Sequence, residues 1–152
     1  MSVWTDDYLI KWPAGLRPAQ FFHDLNEERV SAAYEASRVS FSHFVPRADL
    51  MFPSVGETPP LQPDPRAKSF NFSRVAGSTL IETQIRTLGS RVHVYGHQHR
   101  NRYRRCDGTW YVSNCLGYRE ERDRRSLLNP PTLVRAVWPL EEAAFRDNSP
   151  AA

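Results

Sequence analysis

The sequence predicts an α/β or α+β fold, a mixed β-sheet flanked by helices, in one domain over residues 1–146 with a disordered tail at 147–152. Three observations predict it. Segments of helical period alternate with β-branched runs through the middle of the chain. One of those helices carries cap residues at both ends and leads directly into a strand. Near the end, an Asp-Gly pair separates two runs of strand composition, as in a hairpin.

The opening stretch, "SVWTDDYLIKWPAGL", is aromatic-rich and broken by Pro13 and Gly15, so it reads as an irregular packed segment. Pro18 suits a first helical turn, and Phe21, Phe22, Leu25 and Val30 follow as an apolar stripe. That helix is placed over 18–30, with an extension towards 36. Residues 38–44, "RVSFSHF", alternate, with Val39 and Phe41 on one face and Ser40 and Ser42 on the other. This strand ends before Pro46. Residues 52–67 contain five prolines and one glycine and form a long exposed loop, of the kind used as lids or insertions.

Ser78 is a helix N-cap, Ile81, Ile85 and Leu88 keep helical spacing, and Gly89 closes the C-terminus. A strand over 91–95 comes next, after which Gly96 provides a sharp turn. Strands over 101–106 and 109–115 flank Asp107-Gly108, and a last strand spans 132–138 before Pro139. In that hairpin Cys106 faces Thr109 and Cys115 faces Arg100, too far apart for a disulfide. Two reduced, half-buried thiols in a reducing compartment follow.

Composition narrows the class further. The chain has 152 residues, 40% hydrophobic and 24% charged, enough for one domain with a core. No apolar run reaches membrane-spanning length and no secretory leader pattern occurs, so the expected location is cytoplasmic, with no membrane partner. A net charge of +3 is too small to announce a nucleic-acid binder. Arginines do gather over 100–125, either as a solvated face or as a cationic rim around an anionic substrate.

The chemistry concentrates in "VHVYGHQHR", residues 92–100, which holds three of the five histidines. Imidazole is the commonest nitrogen ligand for zinc, iron and manganese-type ions. On an extended segment His97 and His99 would point to one side, just past the C-terminal edge of a strand, where open α/β sheets place their sites. His-x-His alone is a weak signal, and two surface histidines are the plain alternative. His43 also ends an apolar strand, so adjacency of the two strands would bring three imidazoles together. His93 lies inside its strand, as a core histidine or a support for a ligand, and His23 lies on a helix surface.

These residues resemble a known family. "GHQH" after a hydrophobic strand, the upstream "SFSHF" and Ser42-His43-Phe44-Val45-Pro46-Arg47, the helix start at Gly77-Ser78 and the segment "GTWYVSNCLGYRE" are together similar to the C-terminal half of the calcineurin-like metallophosphoesterases. The resemblance covers roughly residues 12–124 and makes this a partial domain, with the Pro-rich loop at 52–67 included. It implies half of a four-layer α/β/β/α sandwich, a phosphate-ester substrate and a hydrolase acting through two divalent transition metals, Mn, Fe or Zn. It also implies that His43 and His97 hold one ion and His99 the other. Arg47, Asn101 and Arg119 are assigned to the phosphate from charge and position.

The family's acidic motifs do not occur: the sequence has no Asp-x-His, no Gly-Asp and no Asn-His. Catalytic residues are therefore unassigned. Two dications held close together need anionic ligands between them, so three imidazoles would hold at most one ion. The chain is then expected to be a C-terminal piece of a longer enzyme, a split subunit whose partner chain supplies the missing half, or a degenerate relative. The first is favoured because the histidine motifs are intact. A half-sandwich also exposes apolar surface, with Trp4, Trp12, Phe21 and Phe22 as the expected patch, and should self-associate. The alternative function is a non-catalytic binding module in which "RNRYRR" and "YREERDRR" engage single-stranded nucleic acid, although Glu120, Glu121 and Asp123 dilute the second cluster.

Overall fold

A computed structural model of the chain describes residues 6–52, 75–123 and 137. Within them lies a mixed α+β fold built on a four-stranded sheet of order β1-β2-β4-β3. The strands are β1 Val39–Phe41, β2 Val92–Val94, β3 Arg102–Cys106 and β4 Thr109–Ser113. β1 pairs with β2 and β2 with β4 in parallel, while β3 and β4 form the antiparallel hairpin. The helices are α1 Asp6–Leu9, α2 Pro18–Ser31, α3 Thr79–Leu88 and α4 Arg119–Asp123, with a 3-10 turn at Ala48–Met51. The Pro-rich loop, the strand expected over 132–138 (Val137 aside), the tail and Trp4 lie outside the described residues.

α3 forms as its caps dictate. The Ser78 hydroxyl accepts from the Leu80 N–H at 3.2 Å, and Gly89 takes a left-handed φ of 65° while its N–H returns to the last turn. Parallel β1 and β2 need a crossover between them, and α3 provides it. Hairpin register matches the Asp107-Gly108 turn, with Cys106 opposite Thr109, and both cysteines are free and half-buried. Burial raises the pKa of both thiols, which keeps them protonated.

Strand periodicity divides the core between the two faces of the sheet. Tyr111 of β4 and Tyr95 pack with Val45, Leu50, Ala76 and Ile85 on the α3 side. Trp110 and Val112 pack with Val92 on the other side, joined by Val94, Tyr103 and Val137. A fully buried aliphatic side chain among them, such as Leu50, Ile85 or Val92, contributes roughly 1.5–3 kcal/mol. β4 is buried along its whole length, as befits an interior strand.

β1 presents its two faces unequally. Its serine face turns inward, and its apolar face turns out, leaving Phe41 86% exposed. The polar interior is satisfied by His93, as described below. α2 lies against α3, yet none of its residues is buried, and Phe21, Phe22 and Leu25 stay exposed. Trp12 joins Phe22 in an edge-to-face contact, their centroids 6.3 Å apart, so the expected exposed aromatic patch is present in its described part.

Close backbone approach fixes the segment after β1. The Val45 N–H donates to the Ala76 carbonyl at 2.9 Å, and Val45 bridges to Gly77 in parallel. A Cβ at Gly77 would fall 1.9 Å from the Val45 carbonyl oxygen. Gly77→Ala should therefore force the two segments apart and cost about 1–3 kcal/mol, the range for overpacking. Urea unfolding checks this, and an unchanged midpoint would show that the approach is not constrained.

Candidate metal centre

The C-terminal ends of β1 and β2 are neighbours because those strands pair directly, Phe41 opposite Val94. The Gly96 N–H donates to the His43 carbonyl at 3.1 Å and carries the pairing past both strands. The rings of His43 and His97 consequently meet, with His43 Nε2 3.1 Å from His97 Nδ1 and centroids 4.9 Å apart. Phe44 stands against both rings and walls off one side.

His99 goes elsewhere. An extended His-x-His would have sent both rings one way, but His97 and His99 both take left-handed backbone conformations, with φ of 66° and 49°. The sharp turn expected at Gly96 is thus made by the histidines themselves, since Gly96 is absent from the positive-φ residues. Gln98 anchors the turn between them by donating to the Met51 carbonyl at 2.9 Å. Non-glycine residues held in this region are strained by roughly 1–3 kcal/mol each, a cost that concentrates at functional sites. The turn directs His99 onto α4, where Nδ1 lies 2.8 Å from Glu121 Oε2 and the ring packs on Tyr118.

The described residues at the ends of β1 and β2 thus contain two imidazole pairings, His43 with His97 and His99 with Glu121. They contain no cluster of three or more His, Cys, Asp or Glu side chains suited to a metal ion. The first pair fits shared ligation. Nitrogens about 2.0–2.1 Å from a tetrahedral zinc stand about 3.3 Å from each other, close to the 3.1 Å observed between these two.

The residues assigned to phosphate are all engaged in other ways. Arg47 makes a two-pronged bond to Asp49, at 3.0 and 2.8 Å, and also reaches Glu82 and Asp107. Hydrogen bonding to Asp49, opposed by partial burial, raises its pKa further above the usual guanidinium range. Asn101 is buried, and its side-chain amide pairs in both directions with the Cys115 backbone, tying the start of β3 to the chain beyond β4. Arg119 lies on the exposed face of α4, 3.5 Å from Asp123.

His93 is fully buried, and its hydrogen bonds determine its tautomer. Ser42 Oγ donates to the Phe44 carbonyl at 2.7 Å, so it accepts from His93 Nε2–H at 3.0 Å. Nδ1 then accepts from Ser40 Oγ at 2.8 Å, and Ser40 in turn accepts from Ser90 at 2.8 Å. The chain of four polar side chains requires a neutral ring and ends at Ser42, the residue before His43. Burial pushes the His93 pKa down to about 4, slightly opposed by the Glu82 charge.

Sequence reasoning missed Glu121 as a partner of the histidines. Its signal was local: a glutamate three residues after Tyr118, where α4 begins, whose Oε2 accepts the Tyr118 N–H at 2.6 Å. That is the glutamate half of a capping box. Two of the arginines of "RNRYRR" also have structural partners. Arg102 is buried and donates to the Leu50 carbonyl, and Arg104 donates to the Asp49 and Phe52 carbonyls, so β3 clamps the 3-10 turn.

Scans of the chain against models of known protein families, curated proteins and solved structures found no match. Among the described residues no helix is long and apolar enough to cross a membrane.

Proposed function

We propose that the chain carries the histidine half of a metal-dependent phosphoesterase site, with His43 and His97 sharing a divalent transition-metal ion. The observation that carries the reading is the 3.1 Å approach of two imidazole nitrogens beyond the C-terminal ends of adjacent parallel strands. The resemblance of "SFSHF" and "GHQH" to calcineurin-like metallophosphoesterases supplies the reaction class, hydrolysis of phosphate esters. A bound ion of this kind polarises a phosphoryl oxygen and acidifies a water.

The chain's own residues prepare that site in three ways. Phe44 excludes solvent from one side of the imidazole pair. The Gly96-to-His43 backbone bond fixes the distance between the two ring-bearing segments. His93, through Ser42, is hydrogen-bonded to the residues on either side of His43. Carboxylate ligands for a second ion would come from outside this sequence, a reading supported by the outward apolar face of β1 and the uncovered aromatics of α2, which suit a missing layer. The binding-module alternative is less favoured, because Arg102 and Arg104 serve backbone carbonyls.

Calorimetric titration of the purified chain with zinc and manganese, alongside hydrolysis of bis-p-nitrophenyl phosphate, tests the reading. His43→Ala and His97→Ala should each weaken metal binding by more than the roughly 10–100-fold that an outer partner commands. Metal affinity indifferent to both substitutions would overturn it, as would salt-sensitive oligonucleotide binding without metal binding.

A further inference from the structure

We infer that Glu121 is a positioning residue that fixes the tautomer of His99 and thereby selects which ring nitrogen faces outward. A neutral imidazole has one N–H and one lone pair, and the hydrogen bond made by one nitrogen decides the state of the other. His99 Nδ1 stands 2.8 and 3.1 Å from the two Glu121 oxygens, both acceptors. The proton therefore sits on Nδ1, and the lone pair is left on Nε2.

Glu121 is itself held in place. Its Oε2 accepts the Tyr118 N–H at the start of α4, so the carboxylate is a fixed reference for the ring. Tyr118 packs edge-on against the His99 ring, centroids 4.8 Å apart, and restricts its rotation. Arg122 donates to the Leu116 and Gly117 carbonyls and ties α4 to the loop that precedes it. The left-handed turn at His99 and the capped helix thus meet at one carboxylate–imidazole pair. The carboxylate comes from 22 residues downstream of the histidine, whereas the acidic motifs that the resemblance implies lie upstream.

The consequence for ligation rests on the metal-site reading: Nε2 of His99 is the nitrogen offered to an ion, with basicity raised by the carboxylate behind it. The tautomer itself does not depend on that reading.

Long-range proton–nitrogen NMR of 15N-histidine-labelled protein, kept metal-free above pH 8, reads the tautomer directly. The expected result is an Nδ1–H form for His99 in the wild type and its loss in Glu121→Ala, with Glu121→Gln retaining it through the amide oxygen. His93, an Nε2–H ring in every variant, reports that the fold is intact. An Nε2–H form for His99 in the wild type overturns the proposal, and so does a tautomer unchanged by Glu121→Ala. If the tautomer responds while the wild type binds no zinc, Glu121 positions His99 and the metal-site reading fails. If zinc binds and the tautomer ignores Glu121, the reverse holds.

Discussion

Acidification from pH 7.5 to below 4 should remove about 3 kcal/mol of folding stability through His93 alone. Its ring is fully buried, and its folded pKa is pushed down to about 4 from the ordinary 6.5. Above pH 6.5 the ring is neutral in both folded and unfolded chains, and the contribution is fully present. Between 6.5 and about 4 the unfolded chain takes up a proton that the folded chain refuses, so stability falls with pH. Below about 4 both states are protonated and the loss levels off. A shift of about 2.5 units at 1.36 kcal/mol each sets the size. The structural cause is the Ser90-Ser40-His93-Ser42 chain, which needs an acceptor at Nδ1 and cannot satisfy an imidazolium. Urea unfolding of wild type and His93→Gln at pH 7.5, 5.5 and 4 isolates the effect. The wild type should lose about 3 kcal/mol more than the variant over that range. Parallel losses would show that His93 titrates as it does in water.

Local chemistry was legible wherever one residue decides the local backbone. Ser78 and Gly89 bound α3 because a hydroxyl cap and a left-handed glycine do the same work in any context. Asp107-Gly108 set the hairpin register for a similar reason, both residues taking positive φ. The orientation of β1 was not legible. Its alternation showed that Val39 and Phe41 share a face, but apolar character did not identify that face as outward, because the interior beneath β1 is built on a polar histidine. The stripe of α2 shows the same limit: period shows which residues share a face and says nothing about what covers it.

At the site, adjacency of His43 and His97 was expected on condition that their strands were neighbours, and β1 does pair with β2 in parallel. His99 could not be placed with them. Left-handed backbone at a non-glycine residue carries little sequence signal, and two such residues within three positions undo the period-2 rule that would have aligned the rings. Arg47 illustrates the converse error. Charge and position suggested a phosphate ligand, while the structure surrounds it with three carboxylates contributed by Asp49, Glu82 and Asp107. Charge alone could not reveal that, because the partners lie 2, 35 and 60 residues away.

Glu82→Ala should be among the most damaging single substitutions in the chain, at about 3 kcal/mol. One carboxylate accepts from Arg47 at 3.1 Å, from Arg86 at 2.7 Å and from the Tyr111 hydroxyl at 2.7 Å, with its side chain only 18% exposed. The two guanidiniums lie 5.8 and 5.9 Å from the Tyr111 ring centroid, so the cluster joins the segment after β1, α3 and β4. Removing the carboxylate leaves two half-buried cations and a buried phenol with a shared partner missing, which costs more than the net value of any one pair. Asp107 completes the ring of charges but is 73% exposed, so Asp107→Asn, which keeps a residue suited to the positive φ of the turn, should cost under about 1 kcal/mol. Glu82→Gln, which keeps an oxygen acceptor, should fall between them. Urea unfolding at pH 7.5 ranks the three, and equal losses from Glu82→Ala and Asp107→Asn would show that burial of the carboxylate does not set the energetics. The same substitution also reaches the polar chain that ends at Ser42. Glu82 slightly favours protonated His93, so its loss should lower that pKa further and deepen the acid loss described above. A Glu82→Ala protein with a shallower acid dependence than the wild type would mean that the two networks are electrostatically separate.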